Sequence, residues 1–308
     1  MDIRQIRYFV AIADAGSFSA AARSLRIAQP ALSQHVMALE KEFGTRLLDR
    51  SARGASLTPA GEVFREHALV VLRDLELARD AVSSSGGAIV GRVAIGLPTT
   101  VTPVLAMPLV EEAFSLLPGV TLHLVESHTG FLRELMDSGR LDLALLFNID
   151  AGNGLIVDPL IIEEMHLIST STSQPASPEI NFADLYALDM LMASQPHNLR
   201  QLLDSSGNLV MGRPPEIKAE IDSLPTLKRM VCAGLGHTIL PLATVHEELE
   251  SGELSVRKIV NPTIERRTGM VRLAHRPQTR AQQAIADMIR SLVAQLIEAR
   301  KWAGRAPD

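Results

Sequence analysis

The sequence predicts an α/β multidomain chain with a winged helix-turn-helix head, a long helix behind it and a two-lobed α/β body. Three observations predict this. Residues 1–58 hold three short helical periodicities separated by tight turns and ending in a basic hairpin. Residues 59–87 keep one heptad seam. From residue 91, runs of Val, Ile and Leu alternate with amphipathic helical stretches, and the scheme is used twice.

Composition sets the bounds. A chain of 308 residues that is 46% hydrophobic and 21% charged has material for two or three cores. No apolar run approaches the ~18 residues of a membrane span. The start, "MDIRQIRYFVAIADAGSFS", has charges inside its apolar pattern, which argues against a signal peptide. Cys232 is the only cysteine, so no disulfide can form within the chain, which fits a reducing cytoplasm. It reads as a small buried residue. The net charge of −5 argues against nucleic acid, but its distribution reverses that. Residues 1–58 carry eight Lys/Arg against five Asp/Glu, a formal +3, leaving −8 for the remainder.

In the head, Ile3, Ile6, Phe9, Val10 and Ala13 define the buried stripe of a first helix, ended by Gly16. Ser17 can cap a second helix that buries Phe18, Ala21, Ala22 and Leu25, its alanines allowing close helix approach. After a turn at Ile27-Ala28, Gln29-Pro30 opens a third helix, where proline's missing N–H costs nothing. Leu32, Val36, Leu39 and Phe43 form its buried stripe; Pro30, Gln34, Met37 and Lys41 point the opposite way, with Ser33 on the flank. Two short helices and a tight turn, the second helix with a free polar face, make a helix-turn-helix suited to the major groove. Leu47 and Leu48 anchor a two-stranded wing, on which Arg50 and Arg53 stand where a phosphate backbone would pass. From spacing alone the alternative stays open: a small helical domain whose arginines only solvate its surface.

Over residues 1–61 the chain resembles the N-terminal domain of LysR-type transcriptional regulators. The resemblance rests on Gly16-Ser17-Phe18, Ala20-Ala21-Ala22, Gln29-Pro30-Ala31-Leu32-Ser33 and Leu39-Glu40. It implies that Gln29, Pro30, Ser33, Gln34 and Met37 face bases or adjacent phosphates of double-stranded DNA, and that Arg50 and Arg53 hold the backbone. Ala28 departs from the family's usual Ser or Thr, so a hydroxyl cap is missing there.

Thr58 and Pro59 start the long helix, without a capping box because Gly61 sits where Glu would be wanted. Phe64, Ala68, Val71, Leu75, Ala78 and Val82 alternate by four and three, a seam suited to a partner helix; the alternative is packing on the chain's own core. In the resembling family this helix is the dimerisation element. "SSSGG" at 83–87 supplies a joint.

In the body, "GRVAIGL", "VTLHLVE" and "LDLALLF" read as strands separated by two helices, and "LDMLMAS", "PEIKAEI" and "HTIL" repeat the scheme. Such strands between amphipathic helices indicate a parallel sheet covered on both faces. The last helix, with Ile285, Ile289, Leu292, Val293 and Leu296 on one face, should return to the first lobe, giving chain crossings near 160–163 and 265–269. The expected boundaries are 1–58 for the head, 59–87 for the linker helix and 91–308 for the body, with lobes at 91–161 plus 267–308 and at 162–266. The arrangement resembles periplasmic solute-binding proteins and the effector domain of LysR-type regulators. Such lobes bind small molecules beyond the carboxyl ends of their strands. Thr99, Thr100, Thr129, Ser194 and Gln195 are the candidate contacts, and the hydroxyls of Thr99 and Thr100 with the N–H groups of the helix they begin suggest a small anionic effector.

Catalytic constellations are missing from the sequence: no G-x-S-x-G, P-loop, H-E-x-x-H or C-x-x-C is present, and the G-x-G of "AGLGH" leads into a strand. His123 reads as a packing or surface residue, while His35 flanks the third helix and His166 lies near the predicted crossing, with nothing in the sequence to motivate a pH-sensing role for either. No cofactor or metal is called for. A transport solute-binding protein is the alternative function, opposed by the basic head. The resemblance further implies a tetramer and contact with RNA polymerase.

Overall fold

The computed structural model describes residues 1–51, 54–83, 88–150, 152, 154–171 and 177–307, without the side chains of residues 77 and 80–83. The chain divides into two compact units, residues 1–87 with 137–140, and residues 88–136 with 141–308.

The first unit opens with α1 (Ile3–Ala15), capped by Asp2 in a capping box with Gln5. Ser17 caps α2 (Phe18–Leu25) through the Ala20 N–H, and α3 spans Gln29–Phe43. Their facing sides bury Ile6, Phe9, Val10, Ile12, Ala21, Ala22, Leu32, Val36 and Leu39. Two expected stripe residues stay out: Ile3 is 41% and Phe43 45% exposed, and Ile12 takes the inner position instead. The wing is β1 (Leu48–Ser51) paired antiparallel with β2 (Gly54–Leu57). Glu40, at the end of α3, accepts the Leu47 and Leu48 N–H groups at 2.9 and 3.1 Å and so fixes where the wing begins.

The long helix α4 runs Pro59–Ser83. Thr58 caps it, accepting the Gly61 N–H at 3.0 Å. The glycine that spoils the capping box has a packing reason: a Cβ there would lie 1.9 Å from the Leu47 carbonyl oxygen. The seam is not uniform. Ala68 is buried in the head's core, and Phe64 packs against Phe9 and Phe43 at ring-centroid distances of 4.9 and 5.1 Å. These two contribute to the chain's own core. Val71 and Ala78 are exposed and Leu75 is half-buried, while the Val82 side chain lies outside the described residues.

The second unit is built on an eight-stranded sheet ordered β4-β3-β5-β12-β6-β11-β7, with β10 also on β6. The strands are β3 (Gly91–Pro98), β4 (Val120–Ser127), β5 (Leu143–Phe147), β6 (Leu155–Thr170), β7 (Glu179–Asn181), β10 (Thr238–Pro241), β11 (Leu254–Val260) and β12 (Glu265–Leu273). A separate parallel pair is β8 (Met190–Met192) with β9 (Ile217–Glu220). The helices are α5 (Thr102–Leu116), α6 (Thr129–Asp137), α7 (Asn198–Met211), α8 (Leu224–Cys232), α9 (His246–Glu250) and α10 (Arg280–Glu298).

The sheet corrects the expectation of an all-parallel lobe. β3 pairs parallel with β4 and β5, but β12 enters antiparallel between β5 and β6. β6 is long enough to serve both lobes: residues 155–164 pair with β12, and from Met165 onward it pairs with β10 and β11. Two apolar clusters cover the first lobe's sheet, one shared by α5 and α10 and one under α6. The α10 residues Ile285, Ile289, Leu292, Val293 and Leu296 all lie in the former. The second lobe has its own core, around Phe182, Met190, Leu227, Val231 and Ile259.

Candidate functional site

The head presents an exposed outer face on α3. Gln29, Pro30, Gln34 and Met37 are open to solvent, Met37 at 56%, and Ser33 is half-buried. Met37 is among the large apolar side chains left exposed, and it stands beside these polar groups. Ala28 occupies the N-cap position and makes no side-chain cap. Gln29 is steadied by Ser19, whose hydroxyl donates to its Oε1 at 3.2 Å. Arg50 reaches from β1 to donate to the Ser33 hydroxyl at 2.8 Å, with its guanidinium 4.4 Å from the Phe18 ring centroid. Helix and wing therefore share a polar bond on this exposed face. Arg53 lies outside the described residues.

In the second unit, a cavity of about 340 Å³ opens between the lobes, lined by Thr99, Glu126, Ser127, His128, Ser194, Pro196, His197 and Asp222. The lining gathers at the carboxyl ends of strands: Thr99 after β3, Glu126, Ser127 and His128 at the end of β4, Ser194 after β8 and Asp222 after β9. Of the five expected contacts, Thr99 and Ser194 reach this cavity.

Thr100 lines a smaller adjoining pocket with Thr99, His197 and Asp222, and Gln195 and Thr129 are placed elsewhere. Thr100 is 3% exposed; its hydroxyl accepts from Arg266 at 3.0 Å, and α5 begins only at Thr102. Gln195 donates to Asp204 at 2.6 Å on α7 and does not line the cavity. Thr129 heads α6 with a buried hydroxyl that has no hydrogen-bond partner among the described residues.

Asp222 and His197 were missed. Asp222 accepts both the backbone N–H and the hydroxyl of Ser194 at 2.8 Å, which holds its carboxyl below the ordinary value. His197 caps α7, its Nδ1 accepting the Leu199 N–H. Burial, and then the nearby Arg266 charge, push its pKa down. The expected anionic effector meets two carboxylates here, Glu126 and Asp222, so the lining does not have the charge that the threonine hydroxyls suggested.

Behind the cleft lies a buried polar cluster at the lobe crossing. Glu163 of β6 and Arg266 of β12 are register partners, both fully buried, with Arg266 Nη2 2.7 Å and Nε 3.2 Å from Glu163 Oε2. Thr268 donates to the same carboxylate at 3.2 Å and Trp302 Nε1 at 2.8 Å. The guanidinium also stacks 3.7 Å from the Phe147 ring centroid. The Thr244 hydroxyl contacts the Thr100 carbonyl at 3.5 Å.

Residues 3–62 match the family described as bacterial regulatory helix-turn-helix protein, lysR family, and residues 86–294 match the LysR substrate binding domain. The chain belongs to the LysR family of bacterial transcription regulators. This LysR-type regulator is 32% identical to the nitrogen assimilation regulatory protein of Klebsiella aerogenes over 302 residues, covering 95% of both chains. It is 32% identical to the dual regulator OxyR of Escherichia coli K12, covering 94% of this chain and 95% of that one. Among solved structures, full-length CbnR with its target DNA superposes with a TM-score of 0.72 at 21% identity, over 96% of this chain and 99% of that one. That likeness speaks for the fold alone. These relatives are regulators rather than enzymes or transport receptors. Among the described residues no helix is long and apolar enough to cross a membrane, and no cluster of His, Cys, Asp and Glu is suited to a metal.

Proposed function

We propose that this LysR-type regulator acts in the bacterial cytoplasm as a dimer or tetramer whose paired heads clamp an interrupted inverted repeat of duplex DNA. The head is assigned to residues 1–58, the linker to 59–87 and the effector domain to 91–308, with lobes at 91–161 plus 267–308 and at 162–266. Gln29, Pro30, Ser33, Gln34 and Met37 read the major groove, and Arg50 with Arg53 holds the phosphates, which supply most of the affinity. The exposed outer face of α3 beside the Arg50 wing carries this reading. Val71, Leu75, Ala78 and Val82 form the seam left to a second copy. RNA polymerase is the partner downstream.

A small molecule in the interlobe cleft, touching Thr99, Ser127, Ser194, His197 and Asp222, shifts the lobes by binding their two arrangements with different affinity. Some relatives are named for induction by hydrogen peroxide. In this chain Cys232 has no second cysteine to pair with, and burial followed by the Glu253 and Glu248 charges pushes its thiol pKa up, away from the reactive thiolate. A small-molecule effector is therefore the better reading.

Selection of bound sites from random duplex DNA tests the head. Enrichment of a two-fold symmetric sequence is expected, with half-site centres a helical turn of roughly 34–36 Å, or a multiple of it, apart. Retention without any sequence preference, repeated with metabolite extract present, would overturn it.

A further inference from the structure

The interlobe cavity carries charge that its own walls do not cancel. Glu126 has no hydrogen-bond or ion-pair partner among the described residues, and no lysine or arginine is found among the described lining residues. Both bonds that Asp222 receives from Ser194 end on Oδ1, so Oδ2 remains able to accept. His197 does not supply the missing cation. Because its Nδ1 accepts the Leu199 N–H, the ring proton sits on Nε2, and burial with the neighbouring Arg266 favours this neutral form. Arg266 itself is committed to Glu163 and Thr100. His128 is then the remaining lining group able to carry positive charge, set against two carboxylates.

Helix starts do not reverse the balance. The first turn of α7 is already capped by His197. The starts of α5, α6 and α8 each offer about half an elementary charge, together less than the two carboxylates.

We infer that the cleft takes a small molecule bearing an ammonium or guanidinium group, held between Glu126 of the first lobe and Asp222 of the second. The neutral His197 ring is a donor for an acceptor elsewhere on that molecule. This rests on the cleft being the effector site, and it adds a means of closure. The two carboxylates belong to opposite lobes, so without a ligand their like charges oppose approach. A cation between them turns the same groups into a clasp. Lobe closure thereby becomes conditional on the charge of the ligand.

The test reads the cavity's potential without knowing the ligand. In the full chain carrying Cys232→Ala, Ser127→Cys places a thiol in the cleft. Its modification rates with a trimethylammonium and with a sulfonate methanethiosulfonate are each divided by those of free cysteine at fixed ionic strength. The normalised ratio should favour the cationic reagent by about tenfold or more, the scale of a focused cleft potential. It should fall toward unity in Glu126→Gln and Asp222→Asn. Agmatine and ethylammonium should protect the thiol, while succinate and citrate should not. A normalised ratio at or below unity overturns the inference, as does protection by the carboxylates alone or by neither class. Operator binding by fluorescence anisotropy separates the two readings. If the amines protect the thiol but leave DNA affinity unchanged at saturation, the charge assignment stands and the effector role of the cleft fails.

Discussion

The Arg266→Met substitution gives the sharpest energetic test of how the lobes are joined. It removes the two N–H groups that Arg266 gives to Glu163 and the one it gives to Thr100, while methionine retains much of the apolar stem over Phe147. Glu163 would keep Trp302 and Thr268 as neutral donors but lose its counter-charge at a site with no solvent exposure. Breaking a buried pair on one side costs about 3–5 kcal/mol, because the surviving charge stays desolvated. For a unit of this size that corresponds to a fall of roughly 6–20 °C in its unfolding temperature. Adding Glu163→Gln should recover most of the loss, because the amide oxygen can accept from Trp302, the amide NH2 can donate to the Thr268 hydroxyl, and no charge remains buried. The double variant should lie within about 1 kcal/mol of the parent. The assay is built in: Trp302 is the chain's only tryptophan, 1% exposed and bonded to Glu163, so its fluorescence during urea unfolding reports the α/β unit. A loss below about 1 kcal/mol for Arg266→Met, or a double variant equal to the sum of the singles, would refute the reasoning.

Three further outcomes are expected. Gln29→Ala should relax base preference by about 1–3 kcal/mol with little change in salt dependence, whereas Arg50→Ala should weaken all sequences and lower the salt slope by about one unit; equal behaviour in salt titrations would end that division of labour. Leu75→Glu should dissociate copies in sedimentation without unfolding the head, while Phe64→Glu, placed against Phe9 and Phe43, should unfold it by circular dichroism; a folded Phe64→Glu dissociated only at the seam would reverse the assignment. Burial lowers the pKa values of His166, His197 and His237 in the folded chain, so the unfolded chain binds more protons as pH falls below about 6.5. Their contribution is complete above that value and is lost as pH falls through the depressed folded values. Urea midpoints should therefore drop between pH 7.5 and 5.5, by less in His197→Asn, and a flat profile would contradict the burial of these rings.

The sequence made the head legible because its signals are local. Ser17, Gln29-Pro30 and Gly44 punctuate helices whose stripes recur within a few turns, and the structure keeps those helices. The body's central strands were harder to read for one physical reason. β6 and β12 carry Glu163 and Arg266 inside the core, so their sequence looks half-solvated although both side chains are buried. That polarity hid two antiparallel strands and made the sheet look wholly parallel. Heptad spacing likewise shows that Phe64 and Ala68 lie on an apolar stripe, but not which surface covers it. The bond that buries the Thr100 hydroxyl was not legible, because its partner stands 166 residues away and no local pattern encodes such a bond. Asp222 could have been found. The rule that ligands meet the carboxyl ends of strands applied to β9 as well as to β3, β4 and β8, and its residue at that position is an acid.

Adjacent threonines divide the work between the cleft and the lobe crossing. Thr99 lines the cavity, while Thr100 accepts from Arg266 and offers its carbonyl to Thr244. A ligand that pulls Thr99 therefore acts on a residue whose neighbour is bonded to the buried Glu163–Arg266 pair. That pair cannot be stretched cheaply, since separating it would strand charge in the core. The low-cost motion is one that keeps Glu163, Arg266 and Trp302 together and moves the lobes around them. β6 and β12 suit that motion, for they pair with each other through Glu164 and part company from Met165 onward. On the proposed function, the crossing is a fixed pivot and the carboxylates of the cleft set on which side of it the lobes rest. A ligand need supply only the difference between two lobe positions, about 1.4 kcal/mol for each tenfold change in their ratio. On that reading the tightly bonded pivot and the weakly determined cleft are complementary parts of one switch.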